Sequence, residues 1–278
     1  LALEDSILSI LKITSADQYS IFKKLERSRI SDITKALANL QRKGLIHVIS
    51  YRKSRRTGID FPVYSRRRPR SATLDVHPLL AGVTSERLVE YRFVSRNLLP
   101  RNRRATILDI GSGGSELSKA VESFGKGKWR VYGIDMAGDG NDATMDARSM
   151  GIRSDSVDQV ICISTIEHVG LDRVSDGSGD LKVMEQVVRV LKNGASAIIS
   201  VPYAGTAQTK QEYRVYDRRA LVRLAGPLLA RKKEFYRLKS GKWVKCSQAV
   251  ADRVVDTKDL PLNIHSAVCA CLLLQKRN

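Results

Sequence analysis

Apolar positions along the chain change their spacing once, near residue 84. Before it the spacing is helical. Leu3, Ile7, Leu8 and Leu11 share one face; Ile21, Phe22 and Leu25 follow a Ser15–Asp17 capping pair; Ile30, Ile33, Leu37 and Leu40 recur up to Gly44, a helix-ending glycine. Three helices are predicted. Residues 45–49 and 61–64 read as strands on either side of a Thr57-Gly58 turn, a hairpin. Pro69, Thr73, Pro78 and Gly82 punctuate a linker. Beyond it, short apolar runs alternate with helical stretches. Strands are predicted at 107–109, 130–134, 157–163, 195–201, 234–239 and 268–274. Helices are predicted at about 84–99, 115–124, 181–191 and 217–224, with Asn193-Gly194 ending the third. Such alternation builds an open, mostly parallel sheet covered by helices on both faces. The chain is therefore divided into a small domain over 1–68, a linker over 69–84 and an α/β domain over 85–278.

Charge adds a partner to this outline. The 278 residues carry a formal net charge of +19, and the excess is uneven. Residues 1–105 hold 22 basic and 9 acidic side chains, against 26 and 20 in the remainder. Between Tyr51 and Arg70 lie eight basic residues and one acid, Asp60. A basic front half points to a polyanion. The four cysteines (Cys162, Cys246, Cys269, Cys271) show no C-x-x-C spacing and read as reduced, which places the chain in the cytoplasm. No apolar run approaches the roughly 20 residues that span a bilayer, and no secretory leader is visible, so no membrane partner is expected.

The densest chemistry lies at 106–117, Thr-Ile-Leu-Asp-Ile-Gly-Ser-Gly-Gly-Ser-Glu-Leu. A strand ends in an acid, three glycines follow, and a helix begins. Glycines admit φ > 0 and close approach, and the first N–H groups of a helix favour electron-rich atoms. Asp135 ends the next strand, 24 positions after Gly111, where a ribose-binding carboxylate belongs. The G-x-G-x-x-G pattern of dinucleotide-binding turns is broken, because Glu116 stands in place of the third glycine.

Asp109-Ile-Gly111-Ser-Gly113 instead resembles the first motif of class I S-adenosylmethionine-dependent methyltransferases. The resemblance covers residues 84–278 and implies a Rossmann-like, seven-stranded sheet with S-adenosylmethionine as cofactor. It implies Asp109 near the methionine end and Asp135, with Met136 beside it, at the ribose. It implies Asp146 at the adenine amino group, Ala147 along the ring, and a cofactor and acceptor pocket lined by residues 164–168, Ser164 included. Ile166-Glu167-His168-Val169-Gly170, Ser200-Val201-Pro202 and Arg214-Val215-Tyr216-Asp217 narrow the likeness to the type 11-like prokaryotic methyltransferases. Some of these modify glycans or small molecules. Methyl transfer needs an aligned acceptor, exclusion of water and, for many acceptors, a base. Glu167 and His168 are the first candidates, Tyr203 another, His265 a weaker one. The nucleic-acid amino-methylating signature is missing, since Ile163-Ser-Thr-Ile166 occupies its place, and no Pro-Cys occurs. His47, His77, His168 and His265 lack ligand spacing, so no metal is expected.

The run from Ile30 to Ile49, with the hairpin after it, resembles the winged-helix repressors. That likeness implies a small winged helix-turn-helix domain whose third helix enters the major groove, with Lys35, Asn39 and Arg42 reading base edges. Arg52, Lys53, Arg55 and Arg56 would neutralise phosphates. The expected protein is an S-adenosylmethionine-dependent methyltransferase tethered to a nucleic-acid-binding module, DNA foremost. Two alternatives stand beside it. One is a transcriptional regulator that senses the cofactor; the other is a glycan or small-molecule methyltransferase whose winged helix makes a homodimer.

Overall fold

The structure is a computed structural model. It describes residues 3, 6–7, 16–17, 21, 25, 30–42, 47–53, 60–65, 73–80, 82–114, 116–137, 140–171, 176–255 and 264–278. The chain divides into two units, Leu1–Thr73 and Leu74–Asn278.

In the front unit, helix α1 (Ile30–Arg42) packs its apolar stripe inward: Ile33, Leu37 and Leu40 are buried together with Ile7 and Ile21. Strand β1 (Ala16–Asp17), strand β2 (His47–Lys53) and strand β3 (Asp60–Ser65) form an antiparallel sheet in the order β1-β3-β2. Ala16 and Asp17, in the stretch read as a capping pair, pair with Tyr64 and Val63, and Ile21 beyond them is helical.

In the back unit, an eight-stranded sheet replaces the expected seven. It comprises β4 (Ala105–Ile110), β5 (Trp129–Asp135), β6 (Ala143–Thr144), β7 (Val157–Ile163), β8 (Leu191–Tyr203), β11 (Leu229–Lys239), β12 (Lys242–Cys246) and β13 (Val268–Gln275). Their order is β12-β11-β13-β8-β7-β4-β5-β6. Pairs from β6 to β8 are parallel, and those from β8 to β12 are antiparallel. Two further short strands, β9 (Gln208–Thr209) and β10 (Arg214–Val215), pair separately. The hairpin that adds β12 turns at Ser240-Gly241, both with positive φ, which suits the right-handed twist of its strands.

Alternation along the strands splits the core. Leu108, Ile110, Val160, Cys162, Ala197 and Ile199 face α4 (Gly179–Val190) and α5 (Arg218–Ala225). Ile107, Ile161, Ile163, Ile198, Cys269 and Cys271 face α2 (Arg87–Asn97) and α3 (Glu116–Phe124). Leu74, Val76 and Leu80, in the stretch read as linker, are buried in this second layer. Asp217 caps α5, accepting a hydrogen bond from the Ala220 N–H. Asn193-Gly194 does not end a helix. It lies inside β8, where the pairing with β7 slips, and Gly194 takes φ +73°. Among the described residues, no helix is long and apolar enough to cross a membrane.

Candidate cofactor and acceptor site

The carboxyl ends of β4, β5 and β7 open into one cleft. Its floor is the glycine turn after β4, where Gly111, Gly113 and Gly114 have φ of +74°, +53° and +67°. A Cβ on Gly111 would lie 2.1 Å from the Thr165 side chain, so no side chain fits there. The turn is tied to its neighbours by the Gly113 N–H, which donates to Asp135 Oδ2 (2.9 Å), and the Gly114 N–H, which donates to Asn141 Oδ1 (2.8 Å).

Gly111, Asp135, Met136, Asp146, Ala147, Thr165, His168, Val169 and Gly170 line the cleft. Of the residues assigned to the cofactor, Asp135, Met136, Asp146, Ala147 and Gly111 therefore converge. Met136 is 61% exposed at its rim. Asp146 is gripped by Arg148, which donates from Nε and a terminal nitrogen to both carboxylate oxygens, and this holds its carboxyl below the usual range.

Three of the expected residues stand outside this lining. Asp109 is 3% exposed, accepts a hydrogen bond from Ser118 Oγ on α3 and lies outside the cleft lining. Strand alternation puts it on the layer of Ile107, beneath the turn, and burial pushes its carboxyl up to about 6. Ser164, at φ +42°, donates its hydroxyl to Glu90 Oε1 (2.6 Å) and lines a smaller cavity with Glu86, Glu90, Trp243 and His265. Tyr203 is fully buried on the other layer. It stacks edge-on with Phe235 at 4.9 Å and donates its hydroxyl to Asp252.

On the acceptor side, a 3-10 turn (Ile166–His168) follows β7. His168 Nδ1 sits 2.6 Å from the Glu212 carbonyl oxygen. A carbonyl only accepts, so Nδ1 carries a proton, and Nε2 is the nitrogen turned toward Glu167. That Nε2 is 3.9 Å from Glu167 Oε1, and His265 Nδ1 is 4.0 Å from the same oxygen. Glu167 is fully buried, neither carboxylate oxygen has a hydrogen-bond partner among the described residues, and burial pushes its carboxyl up to about 8. Tyr213 and His265 stack at 4.6 Å and complete an aromatic rim with His168.

Sequence reasoning missed what holds this rim. Arg214, almost buried, donates to the carbonyls of Glu167, Val169 and Asp176 and so fixes the loop after β7. Glu90, on α2, accepts from the hydroxyls of Ser164 and Ser200 (2.6 Å each) and from Arg87 (2.8 Å). The metal expectation also changes. Glu167, His168 and His265 have ligand atoms within 4.8 Å of one another, a convergence that no local spacing reveals.

In the front unit, Lys35 is exposed on α1 and Asn39 is half-buried on the same helix. Arg42 closes α1, and Arg52 and Lys53 end β2; their side chains, like all of Arg55 and Arg56, lie outside the described residues.

Comparison with known proteins agrees with the cleft. Residues 108–199, from β4 into β8, match the family described as a methyltransferase domain. A search of curated proteins returned no match. Among solved structures, an S-adenosylmethionine-dependent methyltransferase from Methanosarcina mazei is 16% identical, covers 66% of this chain and 97% of that one, and has a TM-score of 0.45. The [4+2]-cyclase SpnF is 13% identical, with 68% and 80% covered and a TM-score of 0.50. A 1,6-didemethyltoxoflavin-N1-methyltransferase from Burkholderia thailandensis, solved with S-adenosylhomocysteine, is 12% identical, with 63% and 72% covered and a TM-score of 0.43. All three likenesses are of fold.

The back unit is thus a Rossmann-like α/β domain whose ligand cleft lies beyond its strand ends. More narrowly, residues 108–199 of it are similar to a methyltransferase domain, whose expected cofactor is S-adenosylmethionine. The residues present fit that molecule. A turn without side chains gives a nucleoside room, two carboxylates end or follow β5, and Ile134, Met136, Met145 and Val169 offer apolar walls.

Proposed function

We propose that the protein transfers a methyl group to an acceptor brought to it by a nucleic-acid-binding front unit. Bound S-adenosylmethionine supplies an electrophilic methyl group. Asp135 would hold the ribose, Asp146 and Ala147 the adenine side, and the turn at Gly111 the methionine-bearing half. The acceptor enters along the rim of His168, Tyr213 and His265, the polar face beside the cleft. Arg214 keeps that rim in register with the cleft through the loop after β7. The observation that carries the reading is the convergence of the glycine turn, Asp135, Asp146 and Ala147 on one cleft beyond the strand ends.

For the front unit, the β1-β3-β2 sheet beside α1 supports a winged-helix reading, and the basic stretch between Tyr51 and Arg70 supports an anionic partner. Methyl transfer from labelled cofactor into separate DNA, RNA, protein and metabolite pools tests the whole proposal. Label in a nucleic-acid pool, lost as salt rises, is the expected result. Label in metabolites alone would favour a small-molecule enzyme that uses the front unit for dimerisation. Cofactor binding with no label in any pool would favour a sensor.

A further inference from the structure

Glu167, His168 and His265 reach one point from two places, the 3-10 turn after β7 and the segment entering β13. One carboxylate oxygen and two imidazole nitrogens all lie within 4.8 Å of one another. The separations of 3.9 Å (His168 Nε2 to Glu167 Oε1) and 4.0 Å (His265 Nδ1 to Glu167 Oε1) are too long for hydrogen bonds. They are close to the spacing of donors that share an ion, since metal–nitrogen and metal–oxygen bonds of about 2.0–2.2 Å set donors a little over 3 Å apart. Small side-chain rotations close the difference.

Two features mark this as a built site. First, Glu167 is fully buried and, among the described residues, both of its oxygens lack hydrogen-bond partners, as does His265 Nδ1. A buried carboxylate without donors is costly unless something compensates it. Nearby Glu90 is compensated in full, by Arg87, Ser164 and Ser200. Glu86 is not: its Oε2 has no partner, and its Oε1 lies 3.8 Å from His265 Nδ1. Two carboxylates therefore face two imidazoles, and Arg87 Nη1 is already committed to Glu90 and the Ile163 carbonyl. Second, His168 gives its other ring N–H to the Glu212 carbonyl, the arrangement that aims a histidine at a metal and fixes its tautomer.

We propose that Glu167, His168 and His265 bind a divalent first-row transition-metal ion, with Glu86 as the adjoining carboxylate. Two imidazole nitrogens suit Zn²⁺, Fe²⁺ or Co²⁺ better than Mg²⁺ or Ca²⁺, which take oxygen shells. His168 also lines the cofactor cleft, so the ion stands on the acceptor side and offers an open position to an acceptor oxygen. His168 is then a ligand and not the proton acceptor. That role for the ion rests on the methyl-transfer reading; its binding does not.

The test is a Co²⁺ titration of the full chain after chelator treatment, followed by visible ligand-field absorption. A band saturating at one equivalent and displaced by Zn²⁺, with Mg²⁺ without effect, is expected. Glu167→Gln should weaken the site at least tenfold, and the His168→Gln/His265→Gln pair should remove it. His77→Gln, on an exposed residue, should leave it intact. Circular dichroism on each variant separates lost ligands from lost fold. A flat wild-type titration, or a band that survives the double substitution, overturns the proposal. S-adenosylhomocysteine binding measured on the same samples tests the cofactor reading separately. A chain that binds Co²⁺ but not S-adenosylhomocysteine would refute that reading and leave the metal site standing.

Discussion

Gly111 and Thr165 are in steric register: a Cβ on the glycine would lie 2.1 Å from both Cγ2 and Oγ1 of the threonine. Gly111 also has φ +74°, which an L side chain rarely adopts. The two penalties separate in a double-mutant cycle. Gly111→Ala should cost about 2–4 kcal/mol, the sum of left-handed strain and overpacking. Adding Thr165→Gly, which also removes the Thr165 Cβ that would lie at 2.6 Å, should return the packing part and leave about 1–2 kcal/mol of strain. Urea unfolding of the four proteins measures this. An additive cycle would mean that the contact does not govern the turn.

The glycine turn was legible because its requirement is local. So was the acid at the end of β5, and β7 spans the residues its apolar run predicted. Other features needed the fold. Glu90 and Ser200 are far apart in sequence, and only the docking of α2 on the sheet lets one carboxylate gather two hydroxyls. His265 joins Glu167 because β13 is inserted between β8 and β11, a topology that residue spacing does not encode. Asp109 was placed near the cofactor by its position at a strand end, whereas a strand's period of two puts its side chain on the layer of Ile107. Tyr203 shares the layer of Ile110, but its hydroxyl is drawn to Asp252, a partner distant in sequence. The 240–241 turn was legible in principle, since Ser-Gly marks a hairpin.

Asp109 makes stability depend on pH in a stated direction. Burial raises its carboxyl from 3.8 to about 6, opposed by the hydrogen bond from Ser118. The folded state therefore holds a proton that the unfolded state releases between these values. Its contribution is fully present below about pH 4, is lost as pH rises to about 6, and stays lost above. Asp109→Asn cannot titrate. The stability of this variant relative to the wild type should rise by about 2–3 kcal/mol between pH 4 and pH 7. Denaturant midpoints across that range check it, and a pH-independent difference would show that Asp109 titrates normally.

Tyr203→Phe should leave the cleft alone. The hydroxyl binds Asp252, which also holds Arg218 at 2.5 Å, and the ring packs against Phe235 away from the cofactor. Losing one hydrogen bond should cost about 0.5–1.5 kcal/mol of stability. S-adenosylhomocysteine affinity, measured by calorimetry, should stay within about twofold of wild type, an RT-scale change. A tenfold loss would return Tyr203 to the site.

Asp135 has two duties that substitution can separate. Oδ2 accepts the Gly113 N–H at 2.9 Å and Oδ1 accepts the Ala137 N–H at 3.1 Å, so the carboxylate braces the turn while it faces the cleft. Asn at this position keeps one acceptor oxygen but loses the charge. Ala loses both. If Asp135 holds the ribose hydroxyls, Asp135→Asn should weaken S-adenosylmethionine by about tenfold, because hydrogen bonds to a charged group are worth about 1.5–3 kcal/mol and a neutral acceptor keeps part of that. Asp135→Ala should weaken it about a hundredfold and also lower the melting temperature, since the Gly113 N–H loses its acceptor. Calorimetric titration and thermal unfolding on both variants give the two readouts. A drop in melting temperature without loss of affinity would leave Asp135 a brace for the turn and move the ribose elsewhere along the cleft.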